Sequence, residues 1–258
     1  MAYNQEQICL LRWPMQIAVH SQCRFYLYCL RDWIRCMPIA ITHCLWQFAR
    51  LLVLALILKV ALDVVWSYRD YLPPQFESGF LQGRQGYFYT TAYHLAFYLH
   101  ITSGPCALVT GIALMSDRLR LTYPDWHRHL GIFQILCVLL LLVPSGIWMS
   151  IYAETGAIAG IGFALLGVAT GTCAFMGWKS AIRKRFEEHR RWMSRCFLLL
   201  SSAVVLRLMG GAFSLIGIGY PTTYTLAAWT SWGIPLALYE LLRARKRQHV
   251  GAAQLHIN

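Results

Sequence analysis

The sequence predicts an all-α polytopic membrane protein, a bundle of six transmembrane helices preceded by a short amphipathic N-terminal segment. Hydrophobic residues make up 57% of its 258 residues and charged residues 13%, whereas a soluble domain carries about 25% charged residues. Six stretches are apolar over about 20 residues, which is the length that crosses a bilayer. The net charge of +12 comes from basic residues beside these stretches, so it indicates membrane orientation and no nucleic-acid partner.

The apolar stretches divide the chain into three regions. Residues 1–46 form an N-terminal extension at the membrane surface, residues 47–242 form the transmembrane domain, and residues 243–258 form a basic tail. The predicted spans within the lipid bilayer are 47–67, 91–115, 130–151, 156–178, 193–216 and 222–242.

Lysine and arginine predict the orientation of these spans. All but four of the 23 lie in the N-terminal region, the second-to-third connection, the fourth-to-fifth connection or the tail, which share one side. Arg69 and Arg84 lie on the opposite side, and Lys59 and Arg207 lie within spans. The positive-inside rule therefore places both termini in the cytoplasm.

The N-terminal extension interleaves basic and aromatic residues, for example Arg24 with Phe25 and Arg31 with Trp33. This pattern suits a helix that lies among lipid headgroups and docks on a membrane-protein partner. An N-terminal extension that the transmembrane domain does not need explains this pattern equally well. The nine cysteines form no C-x-x-C pair, which favours reduced thiols packed as small hydrophobic residues.

A lone arginine, Arg207, lies deep in the fifth span. Eighteen residues, five full turns of about 100° per residue, separate it from His189, so both share one helical face about 27 Å apart. Insertion of an arginine costs at least about 2.5 kcal/mol, so Arg207 must face a partner or a wet cavity. The pair predicts a functional axis across the membrane.

Two histidines, His127 and His189, precede the third and fifth spans at the same membrane level. Imidazoles at matched depth on different helices are what bis-histidine haem ligation requires, and they also suit two ligands of a metal site. They can equally bind an anionic headgroup alongside Arg128 and Arg190. The remaining interpretation is that they are ordinary polar anchors at the interface.

His100 lies near mid-depth in the second span, where an ionisable group is a functional candidate. Gly104 and Gly111 leave a groove on its face that admits either a flat cofactor or a neighbouring helix. Arg207 lies at a similar depth, so it is expected either to meet His100 or to hold an acidic group such as a haem propionate. Lys59 and Asp63, four residues apart, form first a structural ion pair and second a candidate proton relay.

These motifs resemble an uncharacterised prokaryotic multi-pass membrane family, domain of unknown function 2306, over about residues 89–208. The resemblance rests on His100 with Gly104-Pro105 and Gly111, His127-Arg128-x-x-Gly131, Gly162-Phe163, His189-Arg190-Arg191-Trp192-Met193 and Arg207-Leu208. It implies a membrane-embedded fold in a prokaryotic inner (plasma) membrane and no settled activity. The extension before residue 47 is unlike the usual member of this family.

A looser likeness is to cytochromes of the b561 type, six-span proteins whose paired histidines hold two haems. His127 and His189 suit one such pair, but His100 lacks a histidine partner on the fourth span. The leading hypothesis is therefore a membrane redox protein in electron transfer, with one haem b or a quinone bound through His100, His127, His189 and Arg207. The alternatives are a proton or anion transporter that uses His100 and Arg207, and an accessory subunit of a larger complex.

Overall fold

The computed structural model describes residues 44–45, 47–48, 51–77, 79–217 and 219–255. The chain divides into two compact units, Met1–Leu54 and Ala55–Asn258, and the helix packing described below belongs to the second. The predicted amphipathic segment and partner-docking role of residues 1–46 lie outside the described residues, apart from residues 44–45.

Five helical stretches among the described residues are long and apolar enough to cross a bilayer. They coincide with the first five predicted spans and establish an all-helical multi-pass membrane protein. Four of them are α1 (Leu51–Asp70), α2 (Tyr93–Leu114), α3 (Pro124–Ser150) and α4 (Ala157–Ile182). The fifth, Phe186–Phe213, is interrupted at Ser201, which separates α5 (Phe186–Leu200) from α6 (Ser202–Leu215).

The sixth predicted span, 222–242, lies inside α7 (Tyr220–Leu255). This helix is not among the five apolar stretches, and polar residues such as Thr222, Thr230 and Glu240 interrupt its apolar sequence. It packs along α4 and α6. The six-span count therefore remains a prediction, although the helix itself is present.

A π-helical segment, Cys137–Leu142, interrupts α3 near its middle. Pro144 lies two residues beyond this segment and has no N–H to donate to Leu140, so the hydrogen-bond ladder shifts around it. The N–H of Val143 accordingly donates to Val138, five residues back. The shift rotates the part of α3 after the segment relative to the part before it.

Small residues set the helix spacing in the main core, where lipid provides no hydrophobic drive for association. A Cβ placed on Gly167 of α4 would lie 3.0 Å from the Ile147 side chain of α3. The buried cluster between α2, α3, α4 and α5 includes three thiols. Its cysteines are Cys137, Cys173 and Cys196, as expected for thiols packed as small hydrophobic residues.

Gln134 is a polar side chain that is fully enclosed in this core. Gln134 of α3 donates to the carbonyl of Ala107 at 2.9 Å and accepts from the hydroxyl of Thr110, both on α2. The amide is therefore satisfied within the bundle and holds α2 against α3.

We predict that Gly160→Ala destabilises the bundle by about 1–3 kcal/mol through overpacking. A Cβ at Gly160 would lie 2.6 Å from the carbonyl oxygen of Ser150, and a backbone atom cannot swing aside. The control is Gly210→Ala, because a Cβ there meets nothing within 4 Å and an alanine favours the helix by up to about 1 kcal/mol. Unfolding by detergent titration measures both, and equal stabilities would contradict the packing at Gly160.

Candidate functional site

The predicted histidine pair converges at one end of the bundle, here called the basic end, which carries the connections 115–123 and 183–185. His127 is the fourth residue of α3 and His189 the fourth residue of α5. The two imidazoles lie within range of direct Coulombic interaction, and both side chains are half-buried. Asp117 joins the connections by contacting Arg120 at 2.8 Å and Arg190 at 3.9 Å.

The His189 ring has a fixed orientation. Its Nδ1 lies 2.9 Å from the carbonyl oxygen of Gly177 on α4, which assigns the proton to Nδ1 and leaves the lone pair of Nε2 free. Gly177 permits this approach, since a Cβ there would lie 2.5 Å from the sulfur of Met193. A ligating histidine in a metalloprotein is typically held by such a contact.

The His127 ring is less constrained. Its Nδ1 is buried and has no hydrogen-bond partner among the described residues. Gly131 follows one turn later, and a Cβ there would meet nothing within 4 Å.

His100 occupies a separate position. It is 14 residues from the end of α2 at Leu114, or about 21 Å along the helix from the basic end. Its Nδ1 lies 3.4 Å from the hydroxyl of Ser145, its ring packs on Gly146, and it hydrogen-bonds the backbone of Leu142. The π-helical segment of α3 therefore presents polar backbone to His100, as such segments frequently do at functional sites.

Arg207 lies near His100, as its depth predicts. The two groups are within Coulombic range, and Arg207 also interacts with Tyr68, Tyr71 and Asp63 around the end of α1. Its guanidinium donates to the carbonyl of Ala203 at 3.0 Å.

Ser201, which separates α5 from α6, lies between His189 and Arg207. Its backbone is helical, and the two residues remain in one apolar stretch, Phe186–Phe213.

The glycine groove on α2 is filled by neighbouring helices. A Cβ on Gly111 would lie 3.0 Å from the Phe197 ring of α5, and one on Gly104 would lie 3.8 Å from Leu142 of α3. Of the two predicted uses of this groove, helix packing is the one that the described side chains adopt.

Sequence reasoning missed a buried arginine at the end opposite the basic end. Arg84, in the α1–α2 connection, is 4% exposed and lies 3.4 Å from Glu154 in the α3–α4 turn. Tyr220 at the start of α7 donates to the same carboxylate at 2.9 Å. The only signal of this contact in the sequence was that Arg84 and Glu154, which carry opposite charges, lie in two connections predicted to be on the same side of the membrane.

The environment keeps Arg84 charged. Burial alone lowers its pKa, but Tyr93, Tyr87 and Glu154 outweigh burial, so the pKa is raised. The guanidinium also lies over the Phe80 ring, 4.3 Å from its centroid, and donates to the Phe80 carbonyl. This cation, its carboxylate and the surrounding aromatic rings join the α1–α2 connection, the α3–α4 turn and α7.

Lys59 and Asp63 of α1 form the predicted ion pair, with Nζ of Lys59 2.6 Å from the carboxylate of Asp63.

No group of three His, Cys, Asp or Glu side chains that could hold a metal ion is found within the described part of the chain.

These features define a class, the multi-pass integral membrane proteins with polar groups placed between apolar helices. The family described as predicted membrane protein DUF2306 matches residues 97–243, and the chain belongs to this family. No curated protein and no solved structure matches the chain. The resemblance inferred from the motifs is thereby confirmed, and the match extends further toward the C-terminus than they indicated.

We predict that Glu154→Ala destabilises the fold by about 1–3 kcal/mol, because it leaves the Arg84 cation buried without its counter-charge. The double variant Arg84→Met/Glu154→Ala recovers part of the loss, which a double-mutant cycle measures.

The control for this prediction is Asp70→Asn. Arg69 and Asp70 are at least half-exposed and 3.6 Å apart, so their pair contributes at most about 1 kcal/mol. Equal effects at the two sites would contradict the buried coupling.

Proposed function

We propose that this chain is an integral membrane redox protein whose His127 and His189 hold one b-type haem, or contact a quinone, at the basic end. The observation that carries the proposal is the convergence of these imidazoles from α3 and α5, with Nδ1 of His189 bound to the Gly177 carbonyl. That hydrogen bond selects the tautomer whose Nε2 can ligate iron.

The surrounding residues fit this role. Nδ1 of His127 is buried and has no hydrogen-bond partner among the described residues, so it is an unsatisfied nitrogen. When bound, a haem supplies one-electron chemistry, and the protein supplies ligation, orientation and electrostatics. Arg120 and Arg190 lie beside the pair and can balance acidic groups of a bound molecule, although Asp117 already neutralises part of their charge.

The chain departs from the two-haem pattern of b561-type cytochromes, which leaves one haem at most. A second haem would need a partner for His100 on α4, and α4 contains no histidine. His100 and Arg207, near the other end, are assigned instead to a second polar station where a proton or an anionic group is held.

We predict that the purified protein shows a Soret band, and that His127→Ala and His189→Ala each remove it. The matched control is His129→Ala, because His129 is exposed and its Nδ1 contacts the Asp125 carbonyl of its own helix at 2.8 Å. Spectra before and after dithionite, with a pyridine assay for haem, provide the measurement. A wild-type protein without haem by both tests would eliminate the haem version, and extraction of a co-purified quinone would then decide between quinone and neither.

A second candidate, a proton or anion transporter, is favoured by the station at His100. This imidazole lies in the hydrocarbon region beside the Ser145 hydroxyl and within range of Arg207, and ionisable groups in such positions mark ion pathways.

If the protein is such a transporter, His100→Ala abolishes a pH-dependent flux of protons or anions into liposomes. The absorption spectrum of the protein then shows no haem band. His94→Ala is the control, since His94 contacts the nearby Thr91 carbonyl and the rings of Phe88 and Tyr89. Unchanged flux in His100→Ala would exclude this candidate.

A further inference from the structure

The outward face of α1 carries a feature that the proposed function does not use. Lys59 and Asp63 are the ninth and thirteenth residues of this 20-residue span, so they lie near the middle of the hydrocarbon. Their side chains are 69% and 59% exposed. An ion pair facing lipid at this depth is strongly unfavourable, even when its charges neutralise each other.

The rest of the same face is also uncovered. The most apolar part of α1 is 17% buried, whereas the corresponding part is 33% buried in α2, α3 and α4 and 22% buried in Phe186–Phe213. A concavity of about 500 Å³ lies beside the ion pair, lined by Leu62, Asp63, Val65, Trp66 and Arg69. A helix face with both a charge pair and a recess has the shape of a protein contact rather than a lipid contact.

We propose that this face, Lys59 to Arg69 of α1, is the contact of a homodimer, in which a second copy of the chain packs α1 against α1. Charge complementarity favours a second copy over another occupant. The face presents a cation and an anion one helical turn apart, so a copy related by a two-fold axis along the membrane normal brings Asp63 of each chain toward Lys59 of the other. Such an isologous contact is the commonest way in which identical subunits associate.

The contact replaces two lipid-facing ion pairs with one enclosed set of four alternating charges. An offset of four residues between parallel helices is within reach of a lysine side chain, as in the interhelical ion pairs of parallel coiled coils. Arg207 of the same chain also interacts with Asp63.

The test uses two charge reversals and two affinity tags. Lys59→Glu makes the face wholly acidic, and Asp63→Lys makes it wholly basic, so each variant is expected to lose self-association. Co-expressed with different tags, the two variants are expected to co-purify as a heterodimer, which also shows that both are folded. Lys179→Glu, at the basic end and away from α1, is the control and should leave the dimer intact. Masses in nanodiscs, by light scattering, report the stoichiometry.

Three results would overturn the proposal. The first is a wild-type protein that stays monomeric in nanodiscs at high protein-to-lipid ratio. The second is a wild-type dimer that both charge reversals leave intact, which would place the interface elsewhere. The third is loss of self-association in each variant without recovery in the mixture. These outcomes are independent of any Soret band, so this proposal and the redox proposal can fail separately.

Discussion

The high cost of unpaired charge in hydrocarbon shapes the arrangement of this bundle more than any other constraint. Three cations in or near the apolar region have a carboxylate partner. Lys59 contacts Asp63 on its own helix, and Arg84 contacts Glu154. Arg195 of α5 forms a bidentate contact with Glu240 of α7, at 2.5 and 3.0 Å, and lies over the Trp192 ring. The Arg84–Glu154 and Arg195–Glu240 pairs hold different elements together, because an arginine cannot leave its carboxylate without a large penalty.

Close packing between small residues also determines how the helices are arranged. Helices in lipid gain little from burying more apolar surface, so van der Waals contact and interhelical hydrogen bonds decide their spacing. Gly177 lets α5 approach α4 until His189 reaches a backbone carbonyl. The π-helical segment of α3 has a similar effect near the other end, where it places Leu142 and Ser145 against His100. Both candidate stations thus depend on backbone geometry as much as on their imidazoles.

The two stations divide the polar groups between the ends of the bundle. The basic end combines a histidine pair with Arg120, Arg190 and the shared Asp117. The other station combines His100 with Arg207 and the phenols near the end of α1. About 20 Å of largely apolar core, crossed by the amide of Gln134, lies between them. A redox protein that takes electrons on one side and handles protons on the other needs this separation, as does a transporter that must not leak.

Sequence alone determined the membrane class, the first five spans, the Lys59–Asp63 pair and the placement of His127 and His189 at one end of the bundle. Each follows from composition or from the regular rise of a helix, which are local properties. Only the tertiary structure revealed the burial of Arg84 against Glu154, the closure of the glycine groove by Phe197 and Leu142, and the Gly177 carbonyl that orients His189. These contacts join residues far apart in the chain, and helix rotation and the π-helical shift of α3, which spacing does not encode, decide them.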